Sequence, residues 1–295
     1  VLNVILLENS GPVYNQFAAG KGIARAEQGR RLELGGPLAK ETVKECGTSA
    51  FYVPPAGFSA GLVSFPSREE HHIRNVLRLR PGAILEVLDG CGGRFKVILE
   101  KKHSGDGFEG RVLSAEYENP PRVRISVAIA SGRRERMRIA VEKLAELGCH
   151  RIVPLLTDYV PFPVSAGKQI EKLNLVTQSA LKQSHGIFLT RVENPLDFQN
   201  FMQMAGEGKI KPFFCRQKQE GEKAMPLPPL AQEGEYFLTV GPEGGFSSRE
   251  ITAIEESGAP FIHLGDAVLR FETAAVAGFV LLRQHLTGDL SIYGK

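Results

Sequence analysis

The chain has 295 residues, of which 42% are hydrophobic and 23% charged, and its formal net charge is +3. At about 100–200 residues per domain, this length predicts two domains whose cores need neither a disulfide nor a metal. The near balance of charge excludes a uniformly polybasic nucleic-acid binder, and the absence of any apolar run of about 18 residues speaks against a membrane span.

Residues 1–50 differ from the rest. They open on the apolar Val1–Leu7, continue in Gly, Ala, Gln and mixed charge, and show weak periodicity. They lack the basic start and small-residue cleavage pattern of a secretory signal, and Glu27, Glu33, Glu41 and Glu45 count against a transit peptide. The stretch is expected to be a disordered N-terminal extension. Cys46, Cys91, Cys149 and Cys215 form no CxxC pair and no metal-ligand spacing, so free thiols in a reducing compartment are expected, with no metal site.

Residues 51–120 read as a small β domain. Ser67–Leu79 is predicted to be a short amphipathic helix, with Ile73, Val76 and Leu77 at i, i+3, i+4 and Ser67/Glu70 as a capping box. Pro81-Gly82 ends it. Ile84–Leu88, a turn at Asp89-Gly90-Cys91-Gly92-Gly93, and Arg94–Leu99 form a hairpin, and Arg111–Glu116 is a further strand. Short strands with glycine-rich turns suggest a β-barrel. On the helix and its exit, His72, Arg74 and Arg78 are candidates for contacting RNA phosphates. A solvated face paired to Glu69 and Glu70 is the structural alternative, because the region balances 9 basic against 9 acidic residues.

Residues 121–290 alternate strand and helix, which predicts an α/β domain with a mostly parallel sheet. Strands are expected at Val123–Ala130, Arg151–Leu155, Phe213–Cys215 and Tyr236–Val240. Helices are expected at Arg138–Leu147, closed by Gly148, and at Gln169–Ser184. Residues 121–160 hold 8 Lys/Arg against 4 Asp/Glu, and Arg133 and Arg134 lead that cluster as candidate phosphate contacts. Strand Tyr236–Val240 runs into Gly241-Pro242-Glu243-Gly244-Gly245, after which Ser247/Glu250 form a second capping box. Glycines directly after a strand let a ligand approach the backbone; the segment is neither a Walker A loop nor GxGxxG. A second strand and loop, Phe261–Gly265 and then Asp266–Thr273, lead into a helix ending near Leu286. There Arg270 and Glu272 interrupt an apolar stretch, either as a structural pair or as functional groups.

The two loops together, Gly241-Pro-Glu-Gly-Gly-Phe-Ser…Glu250-Ile and Leu264-Gly…Leu269-Arg-Phe-Glu-Thr-Ala-Ala, resemble the RsmE family of SPOUT-class methyltransferases of small-subunit ribosomal RNA. Glu142-Lys143…Glu146-Leu-Gly148…Ile-Val-Pro154 is similar to another element of that family. His71-His72-Ile73…Val76-Leu-Arg78-Leu, with Gly82 and Asp89-Gly90, is similar to its PUA-like RNA-binding domain. The resemblance implies an α/β trefoil-knot (SPOUT) methyltransferase domain at 121–290, preceded by a small PUA-like β-barrel at 51–120. It implies S-adenosylmethionine as cofactor, held by Leu238, Val240, Gly241, Pro242, Glu243, Gly244, Gly245, Leu264, Gly265, Val268, Leu269 and Thr273. It also implies a homodimer that makes N3-methyluridine in 16S-type rRNA, in a bacterial cytoplasm or, with a targeting extension, in a plastid or mitochondrion. Arg270 would stabilise charge on the uracil and Glu272 would orient it or relay a proton. Three positions depart from the family pattern: Ala267 and Gly186 stand where it carries Arg, and Ser131 where it carries Lys. Their lost charges leave a second reading open, that of a catalytically weak RNA-binding or ribosome-assembly factor that keeps the fold.

Overall fold

The computed structural model describes residues 32–33, 45–103, 106–130, 133–160, 163–216 and 233–288. The chain divides into two compact units, Val1–Asn119 and Pro120–Lys295.

The first unit carries strands β1 (Leu32–Glu33), β2 (Glu45–Tyr52), β3 (Phe58–Ser59), β4 (Leu62–Ser64), β5 (Ile84–Leu88), β6 (Gly93–Lys101) and β7 (Phe108–Tyr117). Their order is β2-β5-β6-β7-β4-β3, with β1 also paired to β7. Within the stretch expected to be an extension, β1 is antiparallel to β7 and β2 parallel to β5; residues 1–31 and 34–44 lie outside the described residues. The alternation expected of a strand shows where β2 ends, with Phe51 and, just past it, Val53 in the core. Along β6, Phe95, Val97 and Leu99 point inward and meet Val63, Phe65, Leu85, Val87 and Val112. The turn between β5 and β6 is set by Asp89, whose Oδ1 accepts the backbone N–H of Cys91 at 2.7 Å and of Gly93 at 2.8 Å. Burial pushes the Asp89 carboxyl up, against those backbone hydrogen bonds.

The helix predicted at 67–79 is shorter and changes pitch. Helix α1 spans Ser67–His71 and continues as a π turn over His72–Val76. The capping box at Ser67 does not form: Pro66 is the N-cap, so Ser67 is already inside the helix. Glu70 turns instead to the β6–β7 connection, where it accepts the N–H of Phe108 at 3.2 Å and pairs with Lys102 at 3.3 Å.

The second unit is a parallel sheet with helices on both faces. Its strands are β8 (Val123–Ala130), β9 (Arg151–Leu156), β10 (Arg191–Val192), β11 (Leu196–Asp197), β12 (Lys211–Cys215), β13 (Gly234–Val240) and β14 (Phe261–Ile262). Their order is β10-β9-β8-β13-β12-β14, with β11 on β9. The helices are α2 (Arg134–Glu146), α3 (Lys168–Ser184), α4 (Phe198–Gly206), α5 (Ser248–Glu256) and α6 (Phe271–Thr287). Strands β8 and β13 are apolar at nearly every position because both of their faces are covered. Tyr236, Leu238 and Val240 face one core, with Met137, Val141 and Leu144 of α2 and Phe271, Ala275 and Phe279 of α6. Phe237 faces the other, with Phe198, Phe201, Phe214, Phe246 and Ile254.

Helix α2 starts earlier than predicted; Ile139 on it is 38% exposed, while Met137, Ala140, Val141, Leu144 and Ala145 are buried. Helix α6 packs closely against the sheet at a glycine. A methyl group on Gly278 would lie 3.0 Å from Cys215 Sγ and 3.1 Å from both Leu238 methyls. Among the described residues, no helix is long and apolar enough to cross a membrane. Cys149 and Cys215 are free, and burial pushes both thiols up.

Candidate active site

Because all these strands are parallel, their carboxyl ends share one edge of the sheet, and ligands of open α/β sheets bind at that edge. The loop after β13 holds Gly241–Gly245, and the loop after β14 holds Leu264–Arg270. One strand, β12, separates the two roots, which places them about 10 Å apart. Val240, Ile262, Leu264 and Phe271 join the same core, so both loops spring from one packed base.

The Gly241–Gly245 loop is held from several sides. A Cβ on Gly241 would sit 2.9 Å from Phe246 Cε2, so only glycine allows this close passage. Phe246 itself is wedged between Phe198 and Phe214, at ring distances of 5.9 and 5.7 Å. The predicted Ser247/Glu250 capping box is formed, and it starts α5. Glu250 does more than cap: its carboxylate accepts the N–H of Ser247 at 2.8 Å and of Asp158, after β9, at 2.9 Å. Asp158 in turn accepts from Ser247 Oγ at 2.6 Å and from Arg249 at 2.7 Å. The Ser247 hydroxyl and the Arg249 guanidinium hold the Asp158 carboxyl below the usual range. From α2, Arg136 forms an ion pair with Glu243.

Leu238 and Val240 are buried core residues, and Pro242 is buried beside them, so these three can support a ligand only from below. Glu243 and Gly244 are exposed, and Gly245 closes a turn on Pro242 O at 2.8 Å. In the second loop Gly265 has φ +101°, a conformation that suits glycine. Val268 is 82% exposed, Leu269 is half-buried and Thr273 is exposed.

Arg270 and Glu272 do not form the structural pair that was the alternative. Arg270 is exposed and occupies the N-cap of α6 without a capping bond. A cation at the positive end of a helix dipole opposes stability, so its place calls for another reason. Glu272 lies in the first turn of α6, with a buried carboxylate oxygen that has no hydrogen-bond partner. Thr239 Oγ1, buried in β13, is also unpartnered. Exposed loop backbone, a passage only glycine permits and these unpartnered oxygens fit a nucleoside-like ligand held mainly by main-chain groups, as S-adenosylmethionine would be.

The candidate RNA contacts separate. Arg133 and Arg134 are exposed at the N-terminus of α2, at the same sheet edge. Arg78 is exposed, and His72 is half-buried against the Phe51 ring. Arg74 is committed within its own unit. It bonds to Asp106 at 2.9 Å, lies 3.6 Å from Glu70, and stands over the Phe108 ring at 5.4 Å. Of the positions departing from the family pattern, Ala267 is exposed, Gly186 follows the end of α3, and Ser131 lies outside the described residues. Arg136, Asp158 and Arg249 were not anticipated. The signal for Asp158 was its place just past the carboxyl end of a strand.

The opposite edge of the sheet is structural. Arg151 grips Glu235 with two hydrogen bonds, of 2.7 and 3.2 Å, and the Ser126 hydroxyl donates to the same carboxylate. Burial pushes the Glu235 carboxyl up, but Arg151 and Ser126 outweigh it and hold it below its usual range.

Comparison with known proteins agrees with this architecture. The family model for an RNA methyltransferase domain matches residues 118–283, and that for an RNA methyltransferase PUA domain matches residues 66–113. The chain is 28% identical over 232 residues to ribosomal RNA small subunit methyltransferase E of Mycobacterium tuberculosis, covering 76% of this chain and 87% of that protein. To the protein of the same name from Bacillus subtilis it is 27% identical over 238 residues, covering 77% of this chain and 92% of that one. A methyltransferase of Legionella pneumophila, solved with bound SAM, superimposes with a TM-score of 0.68 at 26% identity, covering 81% of this chain and 98% of that one. The expected architecture, an α/β SPOUT domain preceded by a PUA-like β unit, is the one found.

Proposed function

The chain belongs to the RNA methyltransferase family whose domain model spans residues 118–283, and from that premise we propose that it methylates N3 of a uridine in small-subunit ribosomal RNA, with S-adenosylmethionine as donor. The observation that carries this reading is the exposed Arg270 at the N-cap of α6, two strands along the sheet edge from the glycine loop. When bound, the cofactor supplies a methyl group on a positively charged sulfur, which an aligned nucleophile can take in line.

The chain's own task is then to place and charge the nucleophile. Backbone groups of Gly241–Gly245 and Leu264–Leu269 would hold the donor, with Leu238, Val240 and Pro242 supporting the loop and Thr273 as a further candidate contact. Loss of the N3 proton puts negative charge on the two uracil oxygens. Arg270, assisted by the N-terminal N–H groups of α6, stabilises it. Glu272, two residues on in the same turn and not paired with Arg270, relays the proton. Glu243 suits this less, because Arg136 already pairs with it.

Arg133 and Arg134 offer phosphate contacts at the N-terminus of α2, and His72 and Arg78 do so on the PUA-like unit. The target base must leave its stack to be reached. The chain acts as a homodimer in this reading, and Val268 and Leu281, 82% and 52% exposed, supply apolar contact surface. It works where small subunits are assembled, in a bacterial cytoplasm. The reading of a weak assembly factor gains nothing: the glycine loop, its clasp and Arg270 are all in place.

The test is transfer of labelled methyl from S-adenosylmethionine to small-subunit RNA, with calorimetry of S-adenosylhomocysteine binding alongside. Transfer that Arg270→Ala abolishes while S-adenosylhomocysteine still binds is the expected result. Binding without transfer to any ribosomal RNA overturns the reading.

A further inference from the structure

Tyr159 is an aromatic residue that the core does not use. It is 55% exposed, at the carboxyl edge of the sheet, directly after the clasped Asp158. The glycine loop lies beside it: a Cβ on Gly244 would lie 3.7 Å from Tyr159 Cβ and 3.9 Å from Cδ2. Gly244 therefore leaves that side of the tyrosine open, where most side chains would crowd it. Exposing a ring this large costs free energy, and no hydrogen bond or ring contact within the described residues explains it.

The backbone that carries the ring is anchored on both sides. On one side of it Asp158 is fixed to the start of α5 by its N–H to Glu250 and by its carboxylate to Ser247 and Arg249. On the other side Val160 packs against the second core. Arg249, with 71% of its side chain exposed, uses one nitrogen on Asp158 and keeps further donors for solvent. A neutral aromatic face on an anchored backbone, near a cation, is how single-stranded nucleic acid is gripped, by stacking on the base and pairing with the phosphate.

We propose that Tyr159, seated beside Gly244, is the stacking face for the unstacked target base of the RNA, with Arg249 next to it for the adjoining phosphate. This rests on the methyltransferase reading above and adds to it the residue that takes the base. Cofactor contact is assigned to the loop backbone, which leaves the outward ring for the second substrate.

The chain contains no Trp, so Tyr159→Trp introduces a single fluorophore at the proposed contact. Two short single-stranded RNAs serve as probes, one with a central uridine and one abasic at that position. Quenching by the first, much less by the second, and none by S-adenosylhomocysteine alone is expected. In steady-state methylation, Tyr159→Ala raises KM for RNA by about tenfold, Tyr159→Phe restores it, and S-adenosylhomocysteine affinity stays at the wild-type value. Three results overturn the proposal: quenching by S-adenosylhomocysteine alone, which gives the ring to the cofactor; a concentration-dependent emission shift without RNA, which gives it to a contact between copies; or a Tyr159→Ala enzyme with unchanged KM. Wild-type transfer is measured in parallel. An inactive wild type sinks the methyltransferase reading itself, whereas an active wild type with an indifferent Tyr159→Ala sinks only this inference.

Discussion

Gly241→Ala and Gly244→Ala place the same methyl group three residues apart in one loop, and the structure assigns them opposite outcomes. At Gly241 the added Cβ would lie 2.9 Å from Phe246 Cε2 and 3.2 Å from its Cδ2 and Cζ. The ring cannot swing away, since Phe198 and Phe214 hold it on the far side. Either the ring leaves its place or the loop backbone shifts by a few tenths of an ångström. Overpacking of this kind costs about 1–3 kcal/mol, and the smaller entropy of the alanine chain returns about 0.4–1 kcal/mol. The net destabilisation is about 1–2 kcal/mol, which for a domain of this size lowers Tm by about 2–8 °C. At Gly244 the nearest atom is 3.7 Å away, ordinary contact, so only the entropy return remains and stability rises by about 0.4–1 kcal/mol. Thermal unfolding followed by circular dichroism reads both, and calorimetry with S-adenosylhomocysteine reads the loop. Gly241→Ala should lose affinity by tenfold or more as its backbone shifts. Equal Tm values for the two variants, with wild-type affinity in Gly241→Ala, would refute the claim that Phe246 sets the loop.

Other consequences follow from the same contacts. Glu250→Ala leaves the N–H groups of Asp158 and Ser247 without their acceptor, and should cost about 1–3 kcal/mol in urea unfolding. Arg133→Ala and Arg134→Ala should each reduce the salt dependence of RNA binding by about one phosphate contact, whereas Arg74→Ala should lower the stability of its own unit and leave that slope unchanged. Arg151→Met should cost about 2 kcal/mol at neutral pH, a value discounted from that of a buried pair because Arg151 is partly exposed. Since the folded Glu235 carboxyl lies below its unfolded value, its contribution is complete above about pH 4.3 and fades as pH falls below that. Wild type and Arg151→Met should therefore converge in stability in acid; a gap that persists to pH 2 would contradict the assignment.

Much of the α/β unit was legible because its signals are local. Apolar runs marked β8 and β13, Ser247 and Glu250 marked the start of α5, and Gly148 marked the end of α2. Other features depended on contacts that periodicity cannot report. Glu70 looked like a capping residue, but Pro66 began the helix earlier and freed the carboxylate for Phe108 and Lys102 across 38 and 32 residues. Arg74 looked like a phosphate contact until Asp106 and Phe108 folded against it. Strand β2, within a compositionally plain stretch, exists through its pairing with β5. At the site, the glycine loop and Arg270 were visible as residue types, while the Asp158–Arg249–Glu250 clasp joins the segment after β9 to helix α5, about 90 residues away in sequence.

The central claim is methylation of a uridine at N3 through Arg270. Its most direct test is nucleoside mass spectrometry of small ribosomal subunits from cells lacking that methylation, after incubation with the purified protein and S-adenosylmethionine. The account predicts N3-methyluridine at one site, absent with Arg270→Ala. A different methylated nucleoside, or N3-methyluridine made equally well by Arg270→Ala, would contradict it.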